Sequence, residues 1–158
     1  MKGMKAIGNA AVRQFLEDDN FARHSGIELV SIEPGHAIAR MTVKPTHLNG
    51  YRIVQGGAIF TLADLAFAAA SNSHGTIAVA INVSITFIKA TKNGLLQAEA
   101  REVACNPKLG TYIVEVRDDQ GDLVAQFQGL VYRKSERIED WYKQSHSHHE
   151  SGGEPSRY

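Results

Sequence analysis

The chain has 158 residues, one domain's worth of sequence and enough for a single core. Its 17 basic and 17 acidic side chains cancel, so no global field recruits nucleic acid or an anionic membrane, and neither is expected as a partner. One cysteine, Cys105, excludes an internal disulfide, and no apolar run nears membrane-spanning length, so a cytoplasmic location is expected.

Residues 9–16 place Ala10, Val12, Phe15 and Leu16 at mixed helical spacing, and Asp18-Asp19-Asn20 supplies caps for a short turn over 21–24 that Gly26 ends. This is read as a covering helix. Residues 27–32 are strand-like, Glu33-Pro34-Gly35-His36 is a turn, and Ala37, Ala39, Met41 and Val43 then alternate with more polar neighbours, which predicts a hairpin with one buried face. Residues 44–54 have no period and form a loop.

The stretch from Gln55 to Ala70 follows. Between Ala58 and Ala70 only Thr61 and Asp64 are polar, so this helix is expected to be buried on every side rather than amphipathic. Residues 71–75 read as its exit. A β-rich run covers 76–88, and strands follow over 95–103, 111–117 and 123–133, with Asp118-Asp119-Gln120-Gly121-Asp122 as a hairpin turn. Strands joined by short turns around one buried helix predict an α+β fold with a mostly antiparallel sheet. The domain is expected over 1–134. In the polar remainder, 135–158, a short exposed helix is expected over 136–144 and disorder from Ser145 onward.

Asp64 needs an explanation, because an ionised carboxylate in an apolar helix is costly unless it is paired, solvated or used. Gly56-Gly57 at the helix start allows close backbone approach and leaves first-turn N–H groups free, donors suited to a carbonyl oxygen gaining charge. Eight residues separate Gly56 from Asp64, roughly 12 Å at the helical rise of about 1.5 Å per residue. One small reacting group cannot touch both. Two copies of the helix lying antiparallel across a two-fold axis could bring the acid of one to the amide of the other, which predicts an obligate homodimer with interfacial sites.

Leu48-Asn49-Gly50, Gln55-Gly56-Gly57, Phe60-Thr61-Leu62-Ala63-Asp64 and Phe67-Ala68 together resemble the phenylacetate-pathway (PaaI-like) thioesterases of the hotdog fold, over about residues 15–133. That resemblance implies a sheet wrapped round one central helix and hydrolysis of acyl-coenzyme A thioesters, with an aryl or medium acyl chain as the expected substrate. It implies Asp64 as general base or nucleophile, Gly56 as the amide that polarises the carbonyl, and Asn49 as a helper that places carbonyl or water. Gln55, Gly57, Asn82, Thr61 and Lys89 are the expected substrate contacts, Asn82 from the same subunit as the acid and Lys89 as a cation for a coenzyme phosphate. Homodimers, with tetramers beyond them, are implied as well. Two positions depart from the family pattern: Gln55 stands where many relatives have histidine and cannot shuttle protons near neutral pH, and Lys89-Ala90 replaces an Arg-Pro pair.

Simpler roles compete at several positions. Asn49 suits a turn, Asn82 could bond neighbouring backbone, and Thr61 could bond its own helix. His24, His36, His47 and His74 show no ligand spacing, and His146, His148 and His149 lie in the polar tail, so no metal is expected. No cofactor is expected either, coenzyme A being part of the substrate. The rival functions are a hotdog-fold hydroxyacyl-thioester dehydratase, which Gln55 disfavours, and a non-catalytic acyl-coenzyme A sensor, which gains nothing from a buried acid.

Overall fold

The computed structural model describes residues 4–147, with side chains from residue 10 onward; His148 and His149 fall outside that range. Helix α1 (Met4–Glu17) and short α2 (Asn20–His24) precede the hairpin β1 (Ile27–Glu33) and β2 (His36–Thr42). A 3-10 turn (Pro45–His47) leads to α3 (Gly56–Asn72), followed by β3 (Thr76–Phe87), β4 (Leu95–Cys105), β5 (Leu109–Arg117), β6 (Leu123–Arg137) and α4 (Ile138–Ser147). Among the described residues no helix is long and apolar enough to cross a membrane.

The caps fall where the sequence puts them. Asp19 accepts the Ala22 N–H at 3.0 Å to start α2, and Gly26 takes the positive φ of +73° that turns the chain into β1. The strands form one antiparallel sheet ordered β1-β2-β4-β5-β6-β3, and α3 touches all six, the α+β arrangement expected.

Alanine sets how closely the helix lies on the sheet. Ala37 and Ala39 of β2 pair with Ala100 and Ala98 of β4, and all four are fully buried, as are Ala63, Ala66, Ala69 and Ala70 of α3. Short side chains on both surfaces bring the backbones together, and the sheet curls around the helix. Phe67 fills the wider space toward β5 and β6, its ring centre 5.7 Å from Tyr112 and 5.2 Å from Phe127. Its far edge lies against Gly129, where an added Cβ would come within 2.5 Å of the ring.

Two expectations need correction. The central helix is not buried all round: Gly57 is exposed, and Thr61, Asp64 and Ala68 are half-buried. Their spacing of four, three and four residues puts them on one face, an open stripe. The tail does not begin at residue 135 either, because β6 runs unbroken through that position to Arg137. Beyond it α4 is docked on α1 rather than free: Ile138 is buried, Trp141 meets Phe15 edge-on at 5.4 Å, and Tyr142 Oη donates to Asp18 at 3.1 Å.

Strand β3 forms one edge of the sheet, yet it is long and presents Val79, Ile81 and Phe87 to solvent, with Ile88 just beyond its end. A long apolar edge invites another strand or chain to cover it.

The Phe67–Gly129 contact generates a stability prediction. Gly129→Ala should destabilise the fold by about 1–3 kcal/mol through overpacking, with Phe67→Leu in the same chain recovering part of the loss. Urea unfolding of the single and double variants measures this, and an unchanged midpoint for Gly129→Ala would refute the contact's tightness.

Candidate active site

The start of α3 is fixed by the loop before it. Leu48 and Val54 bridge across this loop, the Gln55 N–H donates to His47 O at 2.8 Å, and Gln55 has the extended backbone of an N-cap. Its side-chain oxygen accepts the Gly57 N–H and its carbonyl accepts the Ala58 N–H. Gln55 therefore serves as the helix cap. The Gly56 N–H has no acceptor among the described residues and sits at the positive end of the helix dipole. A Cβ on Gly56 would come within 3.0 Å of the Phe87 ring, a tight fit that this half-exposed ring can relieve by a small shift.

Asn49 organises the loop. Its Oδ1 accepts from the Tyr51 N–H at 2.9 Å and the Ile53 N–H at 3.4 Å, and its own N–H donates to Ile53 O at 2.8 Å. The side-chain NH2 has no acceptor among the described residues and remains available to a ligand. Buried His47 pins the loop to the end of α2: Nδ1 accepts the Lys44 N–H at 3.0 Å, and Nε2 donates to Ser25 O at 2.7 Å.

Asp64 lies two turns into α3 on the open stripe. Among the described residues its carboxylate has neither a hydrogen bond nor an ion pair. Burial is the main cause that raises its pKa from the ordinary 3.8, and the nearby charge of Asp19 raises it further. One turn earlier, the Thr61 hydroxyl donates to Gly57 O at 2.7 Å, a bond within its own helix. A cleft of about 490 Å³ opens between α1, α2, β1 and α3, lined by apolar Leu16, Ala22, Ile27, Leu29 and Leu65 and by charged Glu17, Asp18, Asp19, Arg23 and Glu28.

Other expected groups stand elsewhere. Asn82 follows a bulge in β3 and pairs with Leu130, lining a shallow cleft with Ser84, Thr111 and Gln128 on the sheet face away from α3. Within one protomer it does not join Asp64, because the bulge turns it outward. Lys89 Nζ is held 2.7 Å from both Asp118 and Asp122, so its charge is compensated by the β5–β6 turn. Gly56 and Asp64, on one continuous helix, are roughly 12 Å apart along its axis. Sequence reasoning missed Asp19 as a neighbour of the acid; it was legible only as a cap.

Comparison with known proteins agrees with this layout. The profile described as "Thioesterase superfamily" matches residues 51–125. A relative from Archaeoglobus fulgidus, named provisionally as an esterase, is 49% identical over 109 residues, which are 68% of this chain and 71% of the relative. The acyl-coenzyme A thioesterase PaaI of Escherichia coli is 38% identical over 118 residues, 74% of this chain and 84% of that protein. The E. coli PaaI structure superposes with a TM-score of 0.78 at 36% identity, covering 85% of this chain and 96% of that one. A Streptococcus mutans protein crystallised with acetyl-coenzyme A gives a TM-score of 0.67 at 30% identity, covering 70% of this chain and 90% of that one. With the helix, sheet order and sequence all in agreement, the chain belongs to the thioesterase superfamily, as a PaaI-like thioester hydrolase of the hotdog fold.

Proposed function

We propose that the chain hydrolyses an acyl-coenzyme A to free acid and coenzyme A in sites shared by two protomers, Gly56 of one facing Asp64 of the other. One observation carries this reading: α3 holds an idle amide at its positive end and an idle, half-buried carboxylate about 12 Å further on, too far apart to meet on one carbonyl. The apolar β3 edge, whose Phe87 lies against Gly56, is the surface such a dimer would cover. The sheet's outer face carries exposed Leu109, Ile113 and Tyr132, on which two dimers could stack as a tetramer.

In the reaction the Gly56 N–H donates to the thioester oxygen as it gains charge. Asp64 takes a proton from the water that adds to the carbonyl carbon, and the tetrahedral intermediate expels coenzyme A as a thiolate, which recovers the proton. In the alternative, Asp64 attacks the carbon, expels the thiolate and forms an anhydride that water then opens. Burial favours both routes, since a poorly solvated carboxylate is a stronger base. Asn49, through its unused NH2, orients the carbonyl or the water. The cleft beside α2 would hold the acyl group, and its volume suits an aryl or medium chain. Dehydration is disfavoured, because Gln55 is engaged as a cap and carries no titratable group. Catalysis needs no metal or cofactor, and the enzyme is cytoplasmic.

Four experiments test this. Asp64→Asn should lower kcat by two to four orders of magnitude, about what a lost general base costs, in a panel assay of thiol release from acyl-coenzyme A esters. Saturable binding without release by the wild type would instead indicate a sensor. The same variant should unfold at higher temperature than the wild type at neutral pH. The sign follows from the raised pKa: the penalty for ionised Asp64 is absent below the ordinary 3.8, grows as pH rises toward the folded-state value, and is full above it. The gain in Tm should therefore shrink as pH falls toward 3.8, and a lower Tm for the variant at neutral pH would contradict the unpaired acid.

Cross-subunit assembly is tested by mixing defects. Gly56→Pro deletes the N–H at the first helical position, which tolerates proline, and Gln55 before it already has the extended backbone that proline requires. Heterodimers of Gly56→Pro with Asp64→Asn should regain up to half of wild-type turnover, since one of their two sites is intact. No recovery in heterodimers isolated with two different affinity tags would rule out a site that pairs Gly56 of one protomer with Asp64 of the other. Turnover should also survive chelator treatment.

A further inference from the structure

At the far end of α3 from Gly56, three side chains with metal-ligating chemistry converge. His74 follows the helix directly, Glu102 and Cys105 end β4, and one ligand atom from each lies within 4.8 Å of the others. In a regular strand, residues three apart point to opposite faces. Here β4 has a bulge between Glu102 and Ala104, so Glu102 pairs with Tyr112 and Cys105 with Gly110, two residues apart on β5. The extra residue brings Glu102 and Cys105 to one side, and exposed Val103 is the residue squeezed out.

The surroundings hold these groups in place. His74 Nε2 and the Tyr112 hydroxyl both donate to Glu102 Oε1, at 2.7 and 2.6 Å, and Tyr112 is fully buried. The Glu102 N–H donates to Gly35 O at 2.8 Å, while the Gly35 N–H donates to Ser73 Oγ at 2.8 Å, tying β4 to the residue before His74. Arg133 Nη1 donates to Asn106 O at 2.8 Å and fixes the turn after Cys105. His74 and Glu102 are less than a third exposed, whereas Cys105 faces solvent. The cluster is thus walled on the protein side and open on one.

We propose that His74, Glu102 and Cys105 bind one thiophilic divalent cation of the zinc type, with water in a fourth position. An imidazole, a carboxylate and a thiolate form a donor set that favours zinc or cobalt over magnesium or calcium. On binding, the His74 ring takes the tautomer protonated at Nδ1, which frees Nε2 for the metal, and the Cys105 thiol releases its proton to solvent. Tyr112 keeps its bond to Glu102 and orients that ligand from behind. The ion joins the C-terminal end of α3 to β4 and acts as a staple. It lies some ten residues beyond Asp64, roughly 15 Å along the helix direction, and takes no part in hydrolysis.

The test uses cobalt(II) with the full chain, followed by absorption. The wild type should bind a single equivalent with a near-ultraviolet thiolate-to-cobalt charge-transfer band, and zinc should displace it while raising Tm. Cys105→Ser should lose the band, and His74→Ala should weaken binding at least about tenfold, since loss of an outer-shell partner alone costs about that much. A chain with His146, His148 and His149 all changed to Ala should keep the band, because those residues cannot supply a thiolate. Absence of the band in the wild type, or its retention at unchanged affinity in His74→Ala, overturns the proposal. Thiol-release turnover serves as the check that each variant is folded, so failure here leaves the catalytic reading standing, and the reverse.

Discussion

The constraint on which this fold depends is the close approach of one helix to a sheet. Alanines on β2, β4 and α3 remove the bulk that would keep the two layers apart, and Gly129 makes room for the large ring of Phe67 that the helix inserts. With the helix drawn in on that side, its opposite stripe is left lined with small or polar groups: Gly57, Thr61, Asp64 and Ala68. Packing and chemistry are therefore two faces of one element. The buried face supplies the apolar contact that holds α3 rigid, and this rigidity fixes the positions of the groups on the open face.

Those groups are poorly satisfied in the isolated protomer. Among the described residues the Gly56 amide lacks an acceptor and Asp64 lacks a partner, and burial together with Asp19 opposes ionisation of Asp64. Each is unfavourable for folding, and each is what acyl transfer needs: a donor with no competing acceptor and a carboxylate with little solvation. Gln55 sharpens the arrangement by engaging the Gly57 amide, so that among the two glycines only Gly56 offers a free donor. The loop before it repeats the pattern, with the Asn49 oxygen committed to the turn and its NH2 left open.

Much of this was legible in the sequence, and what was not has physical causes. Strand alternation, the helix start at Gly56-Gly57 and the oddity of Asp64 were all visible as pattern. The open stripe was not, because alanine and glycine look alike on a covered or an uncovered face. Bulges defeated face assignment twice, turning Asn82 outward on β3 and bringing Glu102 to the side of Cys105 on β4. A two-residue period carries no mark of an inserted residue. His74 lay far from both in sequence, so its approach to them had no signature in spacing. The final strand outran its expected end because Lys134-Ser135-Glu136-Arg137 is exposed and polar and so shows no alternation, although the backbone pairing with β3 reaches Arg137.

The separation of Gly56 and Asp64 also gives the proposed dimer a physical reason, by which a small domain would carry half of two sites rather than one whole site. Placing donor and acid within reach of one carbonyl in a single chain would put a carboxylate in the first turn of α3, where it would accept the helix's own free N–H groups and fill the donor position intended for substrate. Two turns of helix keep the acid from capping its own amides. Bringing the second group from another chain would restore proximity only once both are fixed, and in the proposed dimer it would use the exposed β3 edge that the protomer leaves uncovered. In the proposed dimer the exposed edge and, among the described residues, the idle amide and the unpaired acid would share one resolution, a second copy of the same helix running the other way.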